Sequence, residues 1–152
     1  MQKAEKTALI YATDLLARQD YSETRLRQKL ALRKYSESEI DEAVEKLKKY
    51  NYLNDETACA YQFELMYQSN KYSVQQICAK LFKFGFETQL IEKCKPKDYE
   101  EHDERVAILM LCSKFKTLPE NKKLWQFLST KGFDYSTISA AVDEFKNNFA
   151  KD

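Results

Sequence analysis

Residues 21–50 carry the pattern that decides the fold, and they read YSETRLRQKLALRKYSESEIDEAVEKLKKY. Four apolar residues in this stretch recur at the helical spacing i, i+3, i+4 and i+7, namely Ile40, Ala43, Val44 and Leu47. That spacing places one apolar stripe along one side of a helix. Ser36 with Glu39 three residues later is the capping-box pattern that opens a helix. The stretch therefore predicts amphipathic helices that each bury one face.

The same pattern returns twice further along the chain. Leu30, Leu81 and Leu128 anchor three copies, which lie 51 and 47 residues apart. Matching residues stand four positions before, four positions after and ten positions after each anchor: Leu26, Ile77 and Leu124; Lys34, Gly85 and Gly132; Ile40, Ile91 and Ile138. Periods of this size are typical of tandem units that stack to complete a shared core. We therefore predict an all-α fold of three tandem three-helix repeats that form an elongated curved solenoid.

The predicted repeats cover residues 1–53, 54–97 and 98–152. Their nine helices are predicted at 4–19, 22–33, 36–50, 54–69, 73–84, 87–95, 98–115, 119–131 and 135–148.

Local signals mark several of the predicted helix ends. Capping boxes at Ser73–Gln76 and Thr117–Glu120 indicate helix starts, the second with a proline inside its first turn. Gly85 and Gly132 are expected to end helices in the left-handed conformation. Lys34 occupies the aligned position, so we predict that it also has a positive φ, although a side chain there costs about 1 kcal/mol.

The composition limits the class of protein. The chain has 152 residues, a formal net charge of +1 and 43% hydrophobic residues, which is enough apolar side chain for a core and argues against disorder. Only two Gly and two Pro disfavour an all-β fold and exclude most glycine-rich phosphate loops. No apolar run approaches the roughly 18 residues of a membrane span, and no signal-peptide core precedes Asp14. We therefore expect a cytoplasmic protein.

Cysteines and histidine are too scattered for a familiar metal or catalytic motif. Four cysteines lie at least 16 residues apart, at Cys59, Cys78, Cys94 and Cys112. We expect all four to be small buried apolar residues, and we expect no metal, no cofactor and no enzymatic activity. The single histidine, His102, lies in the acidic run YEEHDER, which is interpreted as a solvated helix start. A zinc site of isolated cysteines and a Cys/His nucleophile pair are the alternatives that the spacing leaves open.

Residues 21–64 also carry an ordered set of residues with a family resemblance. Tyr21-Ser22 is followed by a helix with Leu–x–x–Lys-Leu, a second helix, a Tyr-Leu-x-Asp turn and a third helix with alanine. The matching residues are Leu26, Lys29, Leu30, Ile40, Leu47, Tyr52, Leu53, Asp55 and Ala60. This set resembles the RecX family of recombinase regulators.

The second copy, KYSVQQICAKLFKFGFETQLIEKC (71–94), resembles the next family repeat, and the third follows the family more in spacing than in identity. Tyr72 departs from the family pattern, and so does Asn51, which stands where the family commonly has Gly. Asn also tolerates the left-handed conformation, so the turn at Asn51 can survive.

The resemblance implies both a function and a partner. Members of the RecX family bind the RecA recombinase, lie in the groove of its filament on single-stranded DNA, and inhibit ATP hydrolysis and strand exchange. They are modulators rather than enzymes. The expected partner is therefore a RecA filament, with the phosphates of its single-stranded DNA as a further contact. We expect a monomer with no membrane contact.

Basic residues are concentrated on the second helix of each predicted repeat. The candidate contact residues form a broken stripe of Arg25, Lys29, Arg33, Lys34, Lys80, Lys83 and Lys131, with Lys122 and Lys123 beside it. Such a stripe suits the phosphates of filament DNA or an acidic surface of a recombinase. The alternative is the charged outer face of any soluble helix.

Among the many aromatic residues, Trp125 is the candidate partner anchor. Packing between repeats is the alternative for these residues as a group, and stacking on bases is a third.

Two other functions remain open from the sequence. The three-helix units could bind nucleic acid directly, although a net charge of +1 disfavours this. They could also serve as a helical scaffold for another protein. Direct DNA binding would weaken steeply with salt and would need no recombinase, so salt dependence separates these functions.

Overall fold

The structure is a computed structural model that describes residues 6–150, and over that range the chain forms nine α-helices and no strand. The helices are α1 (Ala8–Arg18), α2 (Glu23–Leu32), α3 (Glu37–Lys49), α4 (Asp55–Gln68), α5 (Val74–Lys83), α6 (Thr88–Cys94), α7 (Glu100–Lys114), α8 (Asn121–Thr130) and α9 (Tyr135–Ala150). The all-α prediction is confirmed, and most helix ends lie within two residues of the predicted ones. Residues 4 and 5, where the first predicted helix starts, lie outside the described residues.

Helix α8 begins later than the sequence predicted. Its N-cap is Glu120, in extended backbone, and no side chain caps it. The predicted capping box from Thr117, with Pro119 inside the first turn, is therefore wrong. Pro119 lies before the cap, and its ring restricts the residue that precedes it to extended backbone. The boxes that begin at Ser36 and Ser73 are both formed, with reciprocal hydrogen bonds.

The described chain divides into two compact units. The first unit joins the residues up to Tyr61 with Leu81–Lys93, and the second joins Gln62–Lys80 with the residues from Cys94 onwards. The divisions fall inside α4 and α5, so each unit takes part of the predicted middle repeat. The partition into three repeats stays a prediction.

In the first unit, α1, α2 and α3 pack together around the apolar stripe of residues 40–47. The buried residues of this core are Ala8, Ala12, Leu15, Leu26, Leu30, Ile40, Ala43, Val44, Leu47 and Leu53. Tyr35 packs against the edge of the core, and its hydroxyl donates to the carbonyl oxygen of Lys6 at 2.6 Å. The aromatic residue after the left-handed turn therefore folds back onto the unit, as expected for the end of such a helix.

The turns after α2, α5 and α8 each contain a residue in the left-handed conformation. Lys34 has φ 66°, as predicted, and Gly85 and Gly132 have φ 95° and 85°. After α2, the backbone N–H of Lys34 donates to Ala31 at 2.9 Å and that of Tyr35 donates to the carbonyl of Leu30 at 3.4 Å. This pair of bonds is the Schellman motif, which satisfies the last carbonyls of a helix.

In the second unit, α7 and α9 form the main helix pair, and α8 completes the core. Its buried residues are Val106, Ala107, Leu111, Leu124, Leu128, Phe133, Ile138, Ala141, Val142 and Phe145. The predicted stripe of residues 138–145 lies in this core, and Phe133 is buried after the turn at Gly132. The second unit therefore uses the same construction as the first.

A pair of long-range hydrogen bonds holds the start of α2 in the first unit. Ser22 accepts from the N–H of Arg25 at 3.1 Å as N-cap, and its hydroxyl donates to the carbonyl of Phe84 at 2.6 Å. The next backbone N–H, that of Glu23, donates to a carboxylate oxygen of Asp55 at 2.8 Å. We call this arrangement the serine–aspartate clasp.

The second unit has the same clasp at the start of α5. The Ser73 hydroxyl donates to the carbonyl of Lys131 at 2.7 Å, and the N–H of Val74 donates to Asp103 at 3.1 Å. Ser22 and Ser73 occupy aligned positions of the predicted repeats. The aligned residue at the start of α8 is Glu120, which makes no such bond. The clasps satisfy backbone donors that a helix N-terminus leaves open.

The clasps explain why Gly85 and Gly132 carry no side chain. A Cβ atom at Gly85 would lie 2.6 Å from the Ser22 Oγ, and one at Gly132 would lie 3.1 Å from the Cβ of Gln75. Close approach therefore disfavours a side chain at Gly85 in addition to its positive φ, and at Gly132 a side chain would press on Gln75. Lys34 is exposed, so its turn tolerates a side chain. Sequence reasoning identified the positive φ but not the close approach.

Candidate partner-binding surface

Helix α2 presents three of the predicted contact residues on its outer side. Arg25 and Lys29 lie on the helix four residues apart, the first exposed and the second half-buried, and the exposed Arg33 follows at the C-cap. None of the three has an ion pair among the described residues. The Arg33 guanidinium lies over the Tyr11 ring, 4.5 Å from its centre, and the exposed Lys34 follows in the left-handed turn. These cations are available to an anionic partner.

Arg27 on the same helix is neutralised. Its guanidinium contacts Glu23 at 3.0 Å and Asp41 at 2.6 Å, and Glu23 also pairs with Lys48 at 3.0 Å. Partial burial acts to raise the pKa of the Glu23 carboxyl, but the hydrogen bonds from Lys48 and Arg27 outweigh it and hold that pKa below its usual value. The ion-pair network therefore separates Arg27 and Lys48 from the uncompensated cations of α2.

Lys83 ends α5 in the first unit, beside the start of α2. The carbonyl of Phe84 accepts from Ser22, and the next residue, Gly85, approaches the backbone of Arg25. Lys83 is exposed, and Phe82 and Phe84 beside it are also exposed. The structure thus brings Lys83 and two exposed aromatic rings to the end of α2 that carries Arg25.

Lys80 and Lys131 belong to the second unit, and both lie over aromatic rings. The Lys80 ammonium lies 4.7 Å from the centre of the Tyr72 ring, and that of Lys131 lies 5.4 Å from the centre of the Phe127 ring. Such contacts fix the position of a cation without neutralising its charge. The further cations that the sequence suggested, Lys122 and Lys123, are exposed in the first turn of α8.

The exposed aromatic residues differ from the expected ones. Trp125 is half-buried, packs against the core of the second unit and lies 5.0 Å from the Tyr135 ring, so it does not project as an anchor. Tyr50 and Tyr52 are 65% and 70% exposed in the turn after α3. Sequence reasoning missed both as surface candidates, because neither lies on a helix with a readable apolar face.

His102 is not the solvated residue that the sequence suggested. Its side chain is 2% exposed and that of Asp103 is also buried, so the prediction is wrong for both. The imidazole Nδ1 lies 2.9 Å from Asp103 Oδ1, the Nε2 lies 3.0 Å from the Tyr67 carbonyl oxygen, and the ring stacks on the Tyr67 ring. Burial raises the pKa of the Asp103 carboxyl above its usual value. The His102 contact thus lies on the same Asp103 oxygen that accepts from Val74 in the second clasp.

Among the described residues, no three His, Cys, Asp or Glu side chains form a group that could hold a metal ion. Cys59 is buried, Cys78 and Cys94 are half-buried and Cys112 is exposed, so the expectation of four buried cysteines is wrong at Cys112. No described helix is both long and apolar enough to cross a bilayer.

Comparisons with known proteins identify relatives. Residues 8–47 match the family model for the first three-helix domain of RecX. The chain is 37% identical over 139 residues to the regulatory protein RecX of Caldanaerobacter subterraneus subsp. tengcongensis, which covers 91% of this chain and 70% of that protein. It is 29% identical over 145 residues to the regulatory protein RecX of Neisseria gonorrhoeae, which covers 92% of each chain.

Two crystal structures have the same fold. RecX from Lactobacillus salivarius aligns with a TM-score of 0.74 over 91% of this chain and 94% of that chain, at 22% identity. A second structure, of a regulatory protein RecX, aligns with a TM-score of 0.77 over 90% of this chain and 71% of that chain, also at 22% identity. On the identity and coverage of the Caldanaerobacter relative, the chain belongs to the RecX family of regulatory proteins.

Proposed function

We propose that the protein binds the filament of a RecA recombinase on single-stranded DNA and inhibits its ATP hydrolysis and strand exchange. Membership of the RecX family is the observation that carries this proposal. The contact residues of the proposal are Arg25, Lys29, Arg33, Lys34, Lys80, Lys83 and Lys131. In this role the protein acts as a modulator of another enzyme and needs no cofactor.

The charge distribution supports an anionic partner. Arg25 and Lys29 on α2 and Arg33 at its C-cap make no ion pair among the described residues, whereas Arg27 is paired on two sides. A polynucleotide backbone and an acidic protein surface both complement such a row of cations. The net charge of +1 means that this attraction is local rather than a property of the whole chain.

The mechanism that we propose is a wedge between neighbouring recombinase subunits. A protein held in the filament groove would block the subunit movements that couple ATP hydrolysis to strand exchange. It would therefore inhibit at less than one copy per recombinase, because one bound copy stops several neighbours. The proposal expects the protein to act as a monomer.

The first test is ATP turnover by the cognate RecA on single-stranded DNA while this protein is titrated. We expect inhibition at substoichiometric amounts, together with co-sedimentation with the filament. If turnover is unchanged and the protein stays in the supernatant, the proposal is wrong. The helical-scaffold function for another protein partner would then take its place.

A second test concerns the cations of α2. The triple substitution Arg25→Glu, Lys29→Glu and Arg33→Glu should raise the concentration for half-inhibition by about tenfold or more, because like charges then face the partner. The matched control is Arg18→Glu, Lys46→Glu and Lys49→Glu, which reverses three exposed cations on α1 and α3 of the same unit. Circular dichroism checks that both variants keep their helices. Equal inhibition by the two variants would remove the α2 cations from the proposal.

A binding measurement without recombinase distinguishes direct nucleic-acid binding from binding to the filament. A labelled oligothymidylate should bind much more weakly than the filament does at physiological salt. Tight binding to the oligonucleotide alone, lost steeply with added salt, would favour the direct DNA-binding function.

A further inference from the structure

The second unit contains a groove of about 380 Å³ with an uncompensated positive charge. Its walls include Lys71, Lys114 and Lys131, its apolar surface comes from Tyr72, Met110 and Phe127, and none of its lining residues is acidic. The Lys80 ammonium lies over the Tyr72 ring and adds a fourth cation. No ion pair of these four lysines occurs among the described residues. We call this feature the lysine groove.

The second clasp positions the lysine groove. The Ser73 hydroxyl donates to the carbonyl of Lys131 at 2.7 Å, so the start of α5 is held against the end of α8. Tyr72 directly precedes Ser73, and Phe127 lies one turn before Lys131. The backbone segments that carry both aromatic walls are therefore held together by a part-buried hydrogen bond before any ligand is present, which lowers the entropy cost of ordering the groove on binding.

The groove suits carboxylates better than bases. Stacking of a base needs an open ring face, but Lys80 lies 4.7 Å over the Tyr72 ring and Lys131 lies 5.4 Å over the Phe127 ring. Ammonium groups are compact point charges that can each meet one carboxylate. Met110, a flexible and polarizable side chain, offers a place for an apolar side chain between them. Gln76 and Ser113 add hydrogen-bonding groups for a peptide backbone.

We propose that the lysine groove binds an extended acidic peptide segment that carries an apolar side chain between its carboxylates. The segment belongs to a partner protein. This proposal rests on the proposed function, in which Lys80 and Lys131 contact a partner, and it adds the chemical class of the ligand that these two residues meet. A nucleic acid in the same groove is the competing outcome of the test.

The test measures fluorescence anisotropy with the full-length protein and a short fluorescein-labelled peptide of Asp and Glu around one central Phe. Two further probes are the same peptide with Asn and Gln in place of its acids, and an oligothymidylate of equal net charge. We expect the acidic peptide to bind more tightly than either. The substitutions Lys71→Gln, Lys114→Gln and Lys131→Gln together should weaken it about tenfold, as three lost charge pairs imply.

The matched control variant is Lys97→Gln, Lys116→Gln and Lys146→Gln, which removes the same charge from positions of the second unit that do not line the groove and should leave the affinity within about twofold. Four results would overturn the proposal: no binding of the acidic peptide at low salt, equal binding of the amide peptide, equal loss in the control variant, or tighter binding of the oligothymidylate through the groove lysines.

The two proposals fail separately. Inhibition of RecA without peptide binding would reject the lysine groove alone, whereas peptide binding without inhibition would reject the filament function alone.

Discussion

Three aligned residues, Lys34, Gly85 and Gly132, share a left-handed backbone but differ in what surrounds them. All three have positive φ, which costs a residue with a Cβ about 1 kcal/mol. At Gly85 and Gly132 a neighbouring helix start also lies within contact distance of the missing Cβ. Lys34 is exposed, so the cost of its positive φ is the main penalty for a side chain at this position. Removing the side chain at Lys34 should therefore stabilise the fold, whereas adding one at Gly85 or Gly132 should destabilise it.

We predict that Lys34→Gly raises the free energy of unfolding by about 0.5 kcal/mol, since glycine relieves the positive φ but adds entropy to the unfolded chain. Gly85→Ala should lower it by about 2 kcal/mol or more, because the new Cβ would lie 2.6 Å from the Ser22 hydroxyl oxygen. Urea unfolding followed by circular dichroism measures both. A stable Gly85→Ala protein would mean that the clasp yields easily.

His102 is buried at the start of α7 between two oxygen acceptors. Asp103 Oδ1 and the Tyr67 carbonyl oxygen both accept hydrogen bonds, and they face the two ring nitrogens of His102. Asp103 Oδ1 also accepts from the N–H of Val74 at 3.1 Å, so two buried hydrogen bonds depend on this one side chain, whose burial raises its pKa.

We predict that Asp103→Ala lowers the free energy of unfolding by about 2–3 kcal/mol, because it leaves the Val74 N–H and a His102 nitrogen without acceptors. Glu101→Ala is the control, since Glu101 is exposed in the same first turn of α7 and should change stability by less than about 0.5 kcal/mol. Equal losses of the two variants in thermal unfolding would contradict the prediction that the hydrogen bonds of Asp103 stabilise the fold.

At the scale of elements, two helix starts use carboxylates in opposite ways. Asp134 accepts from the N–H of Thr137 at 2.9 Å, and these bonds hold the pKa of the Asp134 carboxyl below its usual value. Asp55 accepts from the N–H of Glu23, but burial and the nearby charges of Glu23 and Glu87 raise its pKa. Folding therefore favours the ionised form of Asp134 and disfavours the ionised form of Asp55.

The pH dependence of stability should therefore differ between two Asn variants. A lowered pKa contributes stability above the unfolded pKa, which disappears as the pH falls through the folded one, so Asp134→Asn should cost a few tenths of a kcal/mol at neutral pH and nothing near pH 2. A carboxyl with a raised pKa in the fold contributes in the opposite way, because the free energy of unfolding falls as the pH rises and the group ionises. Asp55→Asn should be about as stable as the parent at low pH and more stable at neutral pH. Urea unfolding across this range measures both, and parallel profiles would contradict the assignment.

The helices could be read from the sequence because their signals are local. Stripes such as Ile40 to Leu47 and caps such as Ser36 act within one turn or two, so periodicity finds them. The clasps could not be read in this way, because Ser22 and Phe84 are 62 residues apart, and Ser73 and Lys131 are 58 apart. The aligned serines were a signal, but spacing alone does not show which carbonyl faces a hydroxyl.

At the scale of the whole molecule, the candidate surface was partly readable. The i, i+4, i+8 spacing identifies the side of α2 that carries Arg25 and Lys29, with Arg33 at its C-cap, and the role of these residues stays a prediction. It could not show that Arg27 also pairs with Asp41 or that Glu23 pairs with Lys48, because those two ion pairs join α2 to α3. The lysine groove was also unreadable, since its walls come from segments that are far apart in sequence. A count of basic residues therefore predicts a cationic surface only after the residues held in ion pairs within the protein are left out.

The balanced charge of the whole chain leads to a last prediction about salt. With a net charge of +1, only uncompensated cations release counterions on binding a filament, and each phosphate contact on single strands contributes a slope of about −0.7 to log affinity against log salt. The Arg25→Glu, Lys29→Glu, Arg33→Glu variant should therefore have a shallower slope, by about 2, than the parent protein, whereas the Arg18→Glu, Lys46→Glu, Lys49→Glu control should keep it. Filament co-sedimentation across a salt series gives all three slopes. If the α2 variant binds more weakly with an unchanged slope, these cations meet protein rather than phosphate, and the filament contact is made through the recombinase surface.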